Sequence, residues 1–323
     1  MLRSPVLRLS VRVAVAAGLT GYLLWKSHPR AVLAAGAGAT WGPMAVAAAL
    51  VGADRVLMAY RWLVLLCIVD PAARPPFIEI MRIFFVSTFV GTFLPASVGG
   101  DAVRAYSLAK LNVAGGDAIA SVFMDRMLGV ASVLVMALVG LGLARNLAGN
   151  VAIVLSLAVT TALCAATVLL IFSTGVSELA SQIVNWLPAV KVQHTLRRIL
   201  ESIRRYAKYR RQLVNVLGSS IAVQVLRVVQ AYYLGRGLGI EAPLVTYFAF
   251  IPLILLAMLL PVTFNGIGTS QAAFLWFFGQ AGVAAPAAFA LSVLFVALGI
   301  IGNLPGALLY VVGGTQPSKR AAS

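Results

Sequence analysis

The sequence predicts an all-α polytopic membrane protein, with about six to eight transmembrane helices and two re-entrant or broken helical hairpins. Three observations carry that prediction. Of the 323 residues, 61% are hydrophobic and only 11% are charged, whereas soluble domains hold roughly 25% charged residues. Several apolar runs reach the roughly 20 residues that a helix needs to cross a bilayer. Two runs are interrupted by proline, glycine and polar residues, in "FLPASVGGDAVRAY" at Phe93–Tyr106 and "LLPVTFNGIGTSQ" at Leu259–Gln271.

Taken in order, the apolar segments are Val11–Trp25, Gly42–Val69, Phe77–Leu94, Ala118–Ala144, Val151–Ser173, Leu213–Leu234, Pro243–Val262 and Pro286–Val312. Backbone groups in hydrocarbon must pair internally, so each reads as a helix rather than an open strand. The first follows a basic, signal-like start, but "KSHPR" interrupts the approach to the small residues of "AVLAAGAGA". An uncleaved first helix is therefore expected. Two short stretches, about Ala96–Ala109 and Ile267–Gln280, follow the two breaks, and each is too short for a comfortable crossing. "FLP" before Gly99 and Gly100 is matched by "LLP" before Gly266 and Gly268. Corresponding breaks in two halves are the sequence signature of an inverted repeat whose interface holds a transport site.

Charge sets the orientation. The formal net charge is +16, from 25 Lys and Arg against 9 Asp and Glu. In a soluble chain this balance would suggest nucleic acid; in a membrane protein it follows from cytoplasmic Lys and Arg, so no nucleic-acid partner is expected. The segment Lys191–Arg211 holds eight Lys or Arg and one Glu, which places it in the cytoplasm, facing anionic lipid. Its Val192, Leu196, Ile199, Ile203 and Tyr206 step by four and three, the mark of an amphipathic helix spanning about 189–212. A topology anchor with no specific ligand accounts for the same pattern. Arg3, Arg8 and Arg12 put the N-terminus on that side, and Lys319 and Arg320 the C-terminus. With the Arg145–Asn150 connection outside, the count becomes six full crossings and two oppositely directed re-entrant hairpins. Residues 1–323 are read as one transmembrane domain.

Charges inside the apolar runs are the functional signal, because a charged side chain at mid-helix costs at least about 2.5–3.5 kcal/mol on insertion scales. Asp54 and Arg55 sit near the middle of their run, with Arg61 seven residues on. Asp125 and Arg126 lie roughly 11–12 Å into theirs, at about 1.5 Å per residue. Arg227 lies one turn after Gln224, and Asp101 and Arg104 are three apart on the first short helix. Five arginines (55, 61, 104, 126 and 227) stand against three aspartates (54, 101 and 125). If they converge, the cavity is positive, and the guanidinium fork suits phosphate. The alternative is that neighbouring Asp and Arg neutralise each other and lock helices, with no ligand. Asn265 could cap the second short helix and direct its N-terminal N–H groups to an anion, though capping alone explains it equally well.

Catalytic signals are weak. His28 and His194 lie outside the apolar spans, Cys67 and Cys164 inside them without metal or redox spacing, and "GRGLG" at Gly235–Gly239 follows no strand. No cofactor or metal is expected, and the reading is not an enzyme.

The stretches "AYRW", "FLPASVGGDAVRAYSLAK", "ASVFMDRMLG" and "NGIGTSQAAF" together resemble the flippase-like membrane domain of lysylphosphatidylglycerol synthases, over nearly the whole chain. That resemblance implies lipid handling. Carried over by motif, it nominates Arg61, Gly99, Gly100, Asp101, Arg104, Asp125, Arg126, Asn265, Gly266 and Gly268, to which Arg227 is added from its depth. Ser270 and Gln271 stand where family members often carry Arg-Glu, and the soluble aminoacyl-transferring domain is absent from this sequence. The expected function is translocation of a phospholipid or polyprenyl-phosphate-type lipid between leaflets of the cell membrane. No ATP-hydrolysing motif stands out, so a gradient or simple equilibration would drive it. The alternatives are a scaffold for a lipid-linked glycosyl- or acyltransferase and, more weakly, a transferase using Asp101 or Asp125 as base.

Overall fold

The computed structural model describes residues 17–18, 20–69, 75–93, 98–111, 113–143, 151–173, 175, 178–179, 182, 190–259 and 266–313. Residues 11–16 and 19 of the expected Val11–Trp25 helix lie outside them, as do residues 94–97 and 260–265 of the two breaks, the Arg145–Asn150 connection and the basic residues of both termini. Among the described residues the chain is helical and holds no strand.

After a helical stretch at 20–26, the elements are α1 (Pro29–Ala37), α2 (Trp41–Val69), α3 (Phe77–Phe93), α4 (Val98–Ala109), α5 (Gly115–Leu143) and α6 (Val151–Phe172). Then follow α7 (Val190–Arg205), a 3-10 turn (Tyr206–Lys208), α8 (Arg210–Gly237), α9 (Leu244–Met258), α10 (Thr269–Gln280), α11 (Ala285–Ile301) and α12 (Pro305–Gly313). Among the described residues, Gly115–Leu143, Arg210–Gly237 and Ala285–Val311 are long and apolar enough to cross a membrane. The last of these departs from the uninterrupted Pro286–Val312 helix read from sequence. The chain turns at Gly302–Leu304, and Pro305 restarts it as the first residue of α12, where its missing N–H costs nothing.

Each break separates two short helices. The pairs contain 17 and 12 residues (α3, α4) and 15 and 12 residues (α9, α10). At about 1.5 Å per residue, none reaches the roughly 30 Å of a hydrocarbon core. Both pairs fold back as antiparallel hairpins. In the first, Gly100 meets Gly91, and Arg104 reaches Ser87. In the second, Tyr247 and Phe250 pack on Phe278, while Gly266 lies against Met258.

The halves repeat one order: long helix, hairpin, long helix. The equivalent helices α2 and α8 form the most extensive packing in the molecule. They run antiparallel, since Met44 lies by Gly237, Asp54 by Arg227, and Arg61 by Ser220. Two further extensive contacts run between halves. Helix α5 packs on α9, with Gly140 against the Ala249 carbonyl; α12 packs on α3, with Gly306 against the Phe85 carbonyl.

Apolar packing is divided accordingly. One core joins α5, α8, α9, α10 and α11 around Phe274, Phe278 and Tyr247. A second joins α2, α3, α4 and α5 around Trp62, Phe84 and Leu108. The charged residues lie where these two cores meet.

The amphipathic pattern around Lys191–Arg211 does form a helix, α7, and the C-terminal end of its apolar side packs on protein. Ile203 and Tyr206 are buried with Leu65, Met124 and Leu213. Asp117, at the start of α5, accepts hydrogen bonds from Ser202 and Arg205. Tyr206 donates to the Leu65 carbonyl at 3.1 Å. Burial, reinforced by Asp117, pushes its phenol well above the usual range, so it remains a donor. Leu196 and Ile199 are half-buried, and Arg197, Arg198 and Arg205 are exposed.

At Gly100, a methyl group would stand 2.7 Å from the Ser87 carbonyl oxygen, closer than packed atoms tolerate. Gly100→Ala is expected to destabilise the fold by about 1–3 kcal/mol through overpacking. Gly218→Ala on α8, where nothing lies within 4 Å, should be neutral or stabilising by about 0.5–1 kcal/mol. Denaturant unfolding of the two variants in detergent checks the contrast.

Candidate functional site

The intramembrane charges assemble into two triads and one pair. Asp125, from α5, accepts from Arg61 of α2 (Nη2–Oδ1 2.7 Å) and from Arg104 of α4 (Nη1–Oδ2 3.1 Å). Arg61 also donates from Nη1 to Ser220 of α8 at 2.9 Å. Arg104 donates from Nε to Ser87 of α3 at 3.1 Å, and its guanidinium lies 4.5 Å from the Phe84 ring centroid and 5.2 Å from that of Trp62. All three side chains of this triad are at most 4% exposed.

The second triad centres on Asp54 of α2. Its Oδ2 accepts from Arg55 at 2.5 Å, and its Oδ1 from Arg227 of α8 at 3.2 Å. Arg55 further donates to Asn303 Oδ1 and to the Gly299 carbonyl, both at 3.0 Å. Asn303 in turn donates to Thr92 Oγ1 on α3. The turn between α11 and α12 is therefore tied to the centre of α2. The pair is Asp101–Arg126, bidentate at 2.8–3.1 Å and more open, with the Arg126 side chain 43% exposed.

This arrangement corrects the pairing of neighbours. Asp101 does not neutralise Arg104, nor Asp125 Arg126; the partners are crossed between α4 and α5. Consecutive helical residues diverge by about 100°, so Asp125 and Arg126 cannot face the same way. On α4, Arg104 turns inward to the aromatic box and Asp101 outward to Arg126. Only Asp54 and Arg55 pair as sequence neighbours, and they share that carboxylate with Arg227.

A cavity of about 370 Å³ opens between the halves. Asp54 and Arg55 of α2, Asp101 and Arg104 of α4, Arg126 of α5 and Arg227 of α8 supply its charged wall. Ser87, Thr88 and Thr92 of α3, Gln230 and Asn303 supply neutral polar groups, and Leu255, Met258, Phe295 and Ile300 an apolar side. Of the residues nominated by sequence, Gly100, Asp101, Arg104, Arg126 and Arg227 line this space. Arg61 and Asp125 stand behind Arg104 and hold it. Gly99 adjoins Gly100 in the first turn of α4, and Gly266 and Gly268 flank Ile267, which reaches the cavity.

The second hairpin enters the site through that loop. Gly266 and Gly268 have φ of 74° and 89°, left-handed backbone that glycine adopts without strain. Gly268, rather than Asn265, occupies the N-cap of α10; Asn265 itself lies outside the described residues. The Gly268 N–H donates to Gln271 Oε1 at 2.5 Å, which also accepts from Ser270 Oγ at 2.9 Å. Both side chains are buried. The neutral Ser270–Gln271 pair is thus spent on closing the helix start, and the positive wall is built by α2, α4, α5 and α8.

Sequence reasoning passed over the hydroxyl wall and Asn303. Ser87, Thr88 and Thr92 form a polar stripe at helical spacing in an otherwise apolar run, a visible signal. Asn303 shows only as a Gly-Asn interruption ahead of Pro305. Among the described residues, no three His, Cys, Asp or Glu side chains form a group that could hold a metal.

Helices broken in pairs around a charged, partly apolar cavity define a polytopic membrane protein built of two like halves. A family model described as the lysylphosphatidylglycerol synthase TM region matches residues 9–306. The chain belongs to that family and is an integral membrane protein. No curated protein matches it.

The triad geometry makes an unequal prediction for the carboxylates. Asp125→Asn strands two buried arginines, and removing one partner of a buried ion pair costs about 3–5 kcal/mol. Asp101→Asn breaks a half-exposed pair, where the cost is at most about 1 kcal/mol. Unfolding midpoints in detergent, measured side by side, should rank the two variants in that order.

Proposed function

We propose that the chain translocates a phosphate-bearing lipid, a phospholipid or a polyprenyl-phosphate-type lipid, between membrane leaflets. The observation that carries this reading is the cavity itself: a space between two oppositely directed halves, walled by four arginines and closed on one side by apolar residues. A headgroup there replaces water and carboxylate as partner to the guanidinium groups, while its chains remain among apolar side chains and lipid. Arg227, 25% exposed and tied to one shared carboxylate, and Arg126 are the cations best placed to exchange partners. Arg104 and Arg55 are held by several contacts and act as fixed walls.

In this reading α3–α4 and α9–α10 are re-entrant from opposite sides of the cell membrane, six helices cross fully, and both termini are cytoplasmic. The exposed basic side of α7 then meets anionic lipid. Movement is by reorientation of the halves, with no chemical step and no cofactor. The same exposed basic side favours a second reading, in which the chain docks a transferase acting on lipid-linked substrates.

The test is leaflet exchange of labelled phospholipids in proteoliposomes, at matched incorporation. Arg227→Gln is expected to slow exchange at least about tenfold, the loss of roughly 1.4 kcal/mol of headgroup interaction. Exchange unchanged in that variant removes the cavity from the mechanism. No exchange by folded native protein, across phospholipids and a polyprenyl phosphate, moves the assignment to the docking reading.

A further inference from the structure

The two triads have a consequence for the ligand's charge. Each holds two arginines on one aspartate: Arg61 and Arg104 on Asp125, Arg55 and Arg227 on Asp54. Two positive charges against one negative leave each triad formally +1, and the exposed Asp101–Arg126 pair is neutral. The inner site therefore carries a formal surplus of two positive charges, one sealed around Asp125 and one on the more open Asp54 triad. Arginine does not lose its proton in proteins, so the surplus cannot be relieved by titration of the guanidinium groups. A buried charge without a partner is costly.

We infer that the cavity is built for a lipid whose headgroup ends in a phosphate monoester, a dianion, in preference to a phosphodiester or an aminoacylated headgroup. This rests on the reading of the cavity as a headgroup site. A phosphate monoester brings a charge of about −1.5 to −2 at pH 7 and three strong acceptor oxygens. The cavity offers three arginines from the triads, Arg55, Arg104 and Arg227, with the hydroxyls of Ser87, Thr88 and Thr92 beside them. Donors remain for such a ligand. Arg104 uses Nε and Nη1, and Arg227 uses Nε and Nη2, so among the described residues Arg104 Nη2 and Arg227 Nη1 are without an acceptor. A phosphodiester supplies one charge and two free oxygens, leaving half the surplus uncompensated. A lysyl ester adds ammonium groups that cancel the phosphate's charge and leave the whole surplus uncompensated.

The acid-base behaviour of the ligand gives a distinctive readout. The charged groups facing the cavity are Asp54 and Arg55 from α2, Asp101 and Arg104 from α4, Arg126 from α5 and Arg227 from α8; the lining from α3, α9 and α11 is uncharged. The second proton of a phosphate monoester leaves near pH 6. Binding of the monoester should tighten as pH rises through that value, while a phosphodiester, singly charged throughout, reports any change in the aspartates.

The experiment is thermal stabilisation of the full chain in detergent by short-chain phosphatidic acid, phosphatidylglycerol and inorganic phosphate, at about pH 5.5 and about pH 8. Phosphatidic acid is expected to act at a concentration at least about tenfold lower than phosphatidylglycerol at the higher pH, with the preference shrinking at the lower. Equal or tighter binding of phosphatidylglycerol, or a preference independent of pH, overturns the inference. Inorganic phosphate acting as well as phosphatidic acid overturns the lipid assignment and makes this a free-phosphate site. Arg227→Gln should abolish the preference and Arg227→Lys retain part of it; the comparison of lipids on native protein needs neither variant to fold. Leaflet exchange on the same preparation separates the two readings. Tight monoester binding without exchange overturns translocation alone, and exchange without the preference overturns this inference alone.

Discussion

The structure depends on one carboxylate. Asp125 receives Arg61 from α2 and Arg104 from α4, and Arg61 continues to Ser220 on α8. Four helices from both halves thus meet at one buried charge. Desolvating three ions is unfavourable, and their mutual attraction, with hydrogen bonds to Ser87 and Ser220, offsets it. The same requirement holds the first hairpin in place. Arg104 can reach Asp125 only if α4 turns back along α3, and α4 can lie that close only because Gly100 and Gly91 meet without side chains between them.

Asp54 plays the corresponding part at the other wall, but with looser partners. Arg55 anchors the turn at Asn303, and Arg227 is partly open to the cavity. The two triads therefore differ in what they can do. The sealed one sets the position of helices, and the open one presents a cation whose present partner is shared and exchangeable. Fixed and exchangeable charge side by side is what a site needs if it is to hold an anion and then release it.

The halves match in order and packing but differ in chemistry. The first hairpin brings Asp101, Arg104 and a hydroxyl stripe. The second brings Ile267 and a neutral pair, Ser270 and Gln271, turned back on its own helix start. Polarity is concentrated on one side of the repeat interface, and the other side is closed by Leu255, Met258 and Phe295. The space therefore has one polar and one apolar wall.

Much of this was legible in the chain. Composition and run length determine that the protein lives in a membrane as helices, because unpaired backbone is not tolerated in hydrocarbon. Pro and Gly mark both hairpins, with charge beside the first, and the cost of burying charge singles out Asp54, Asp101, Asp125 and the arginines that converge on them. The periodicity of residues 192–206 announces an amphipathic helix, but not that Ile203 and Tyr206 bury against α2, α5 and α8. What only the tertiary structure decided is which charge meets which. Packing of α4 on α5 gives Asp101 and Asp125 each a partner from the other's helix, although Arg104 and Arg126 are their neighbours in sequence. Ion pairing is a property of distance in space, and here that distance is set by the packing of α2, α4, α5 and α8, with the first hairpin closed through Gly91 and Gly100.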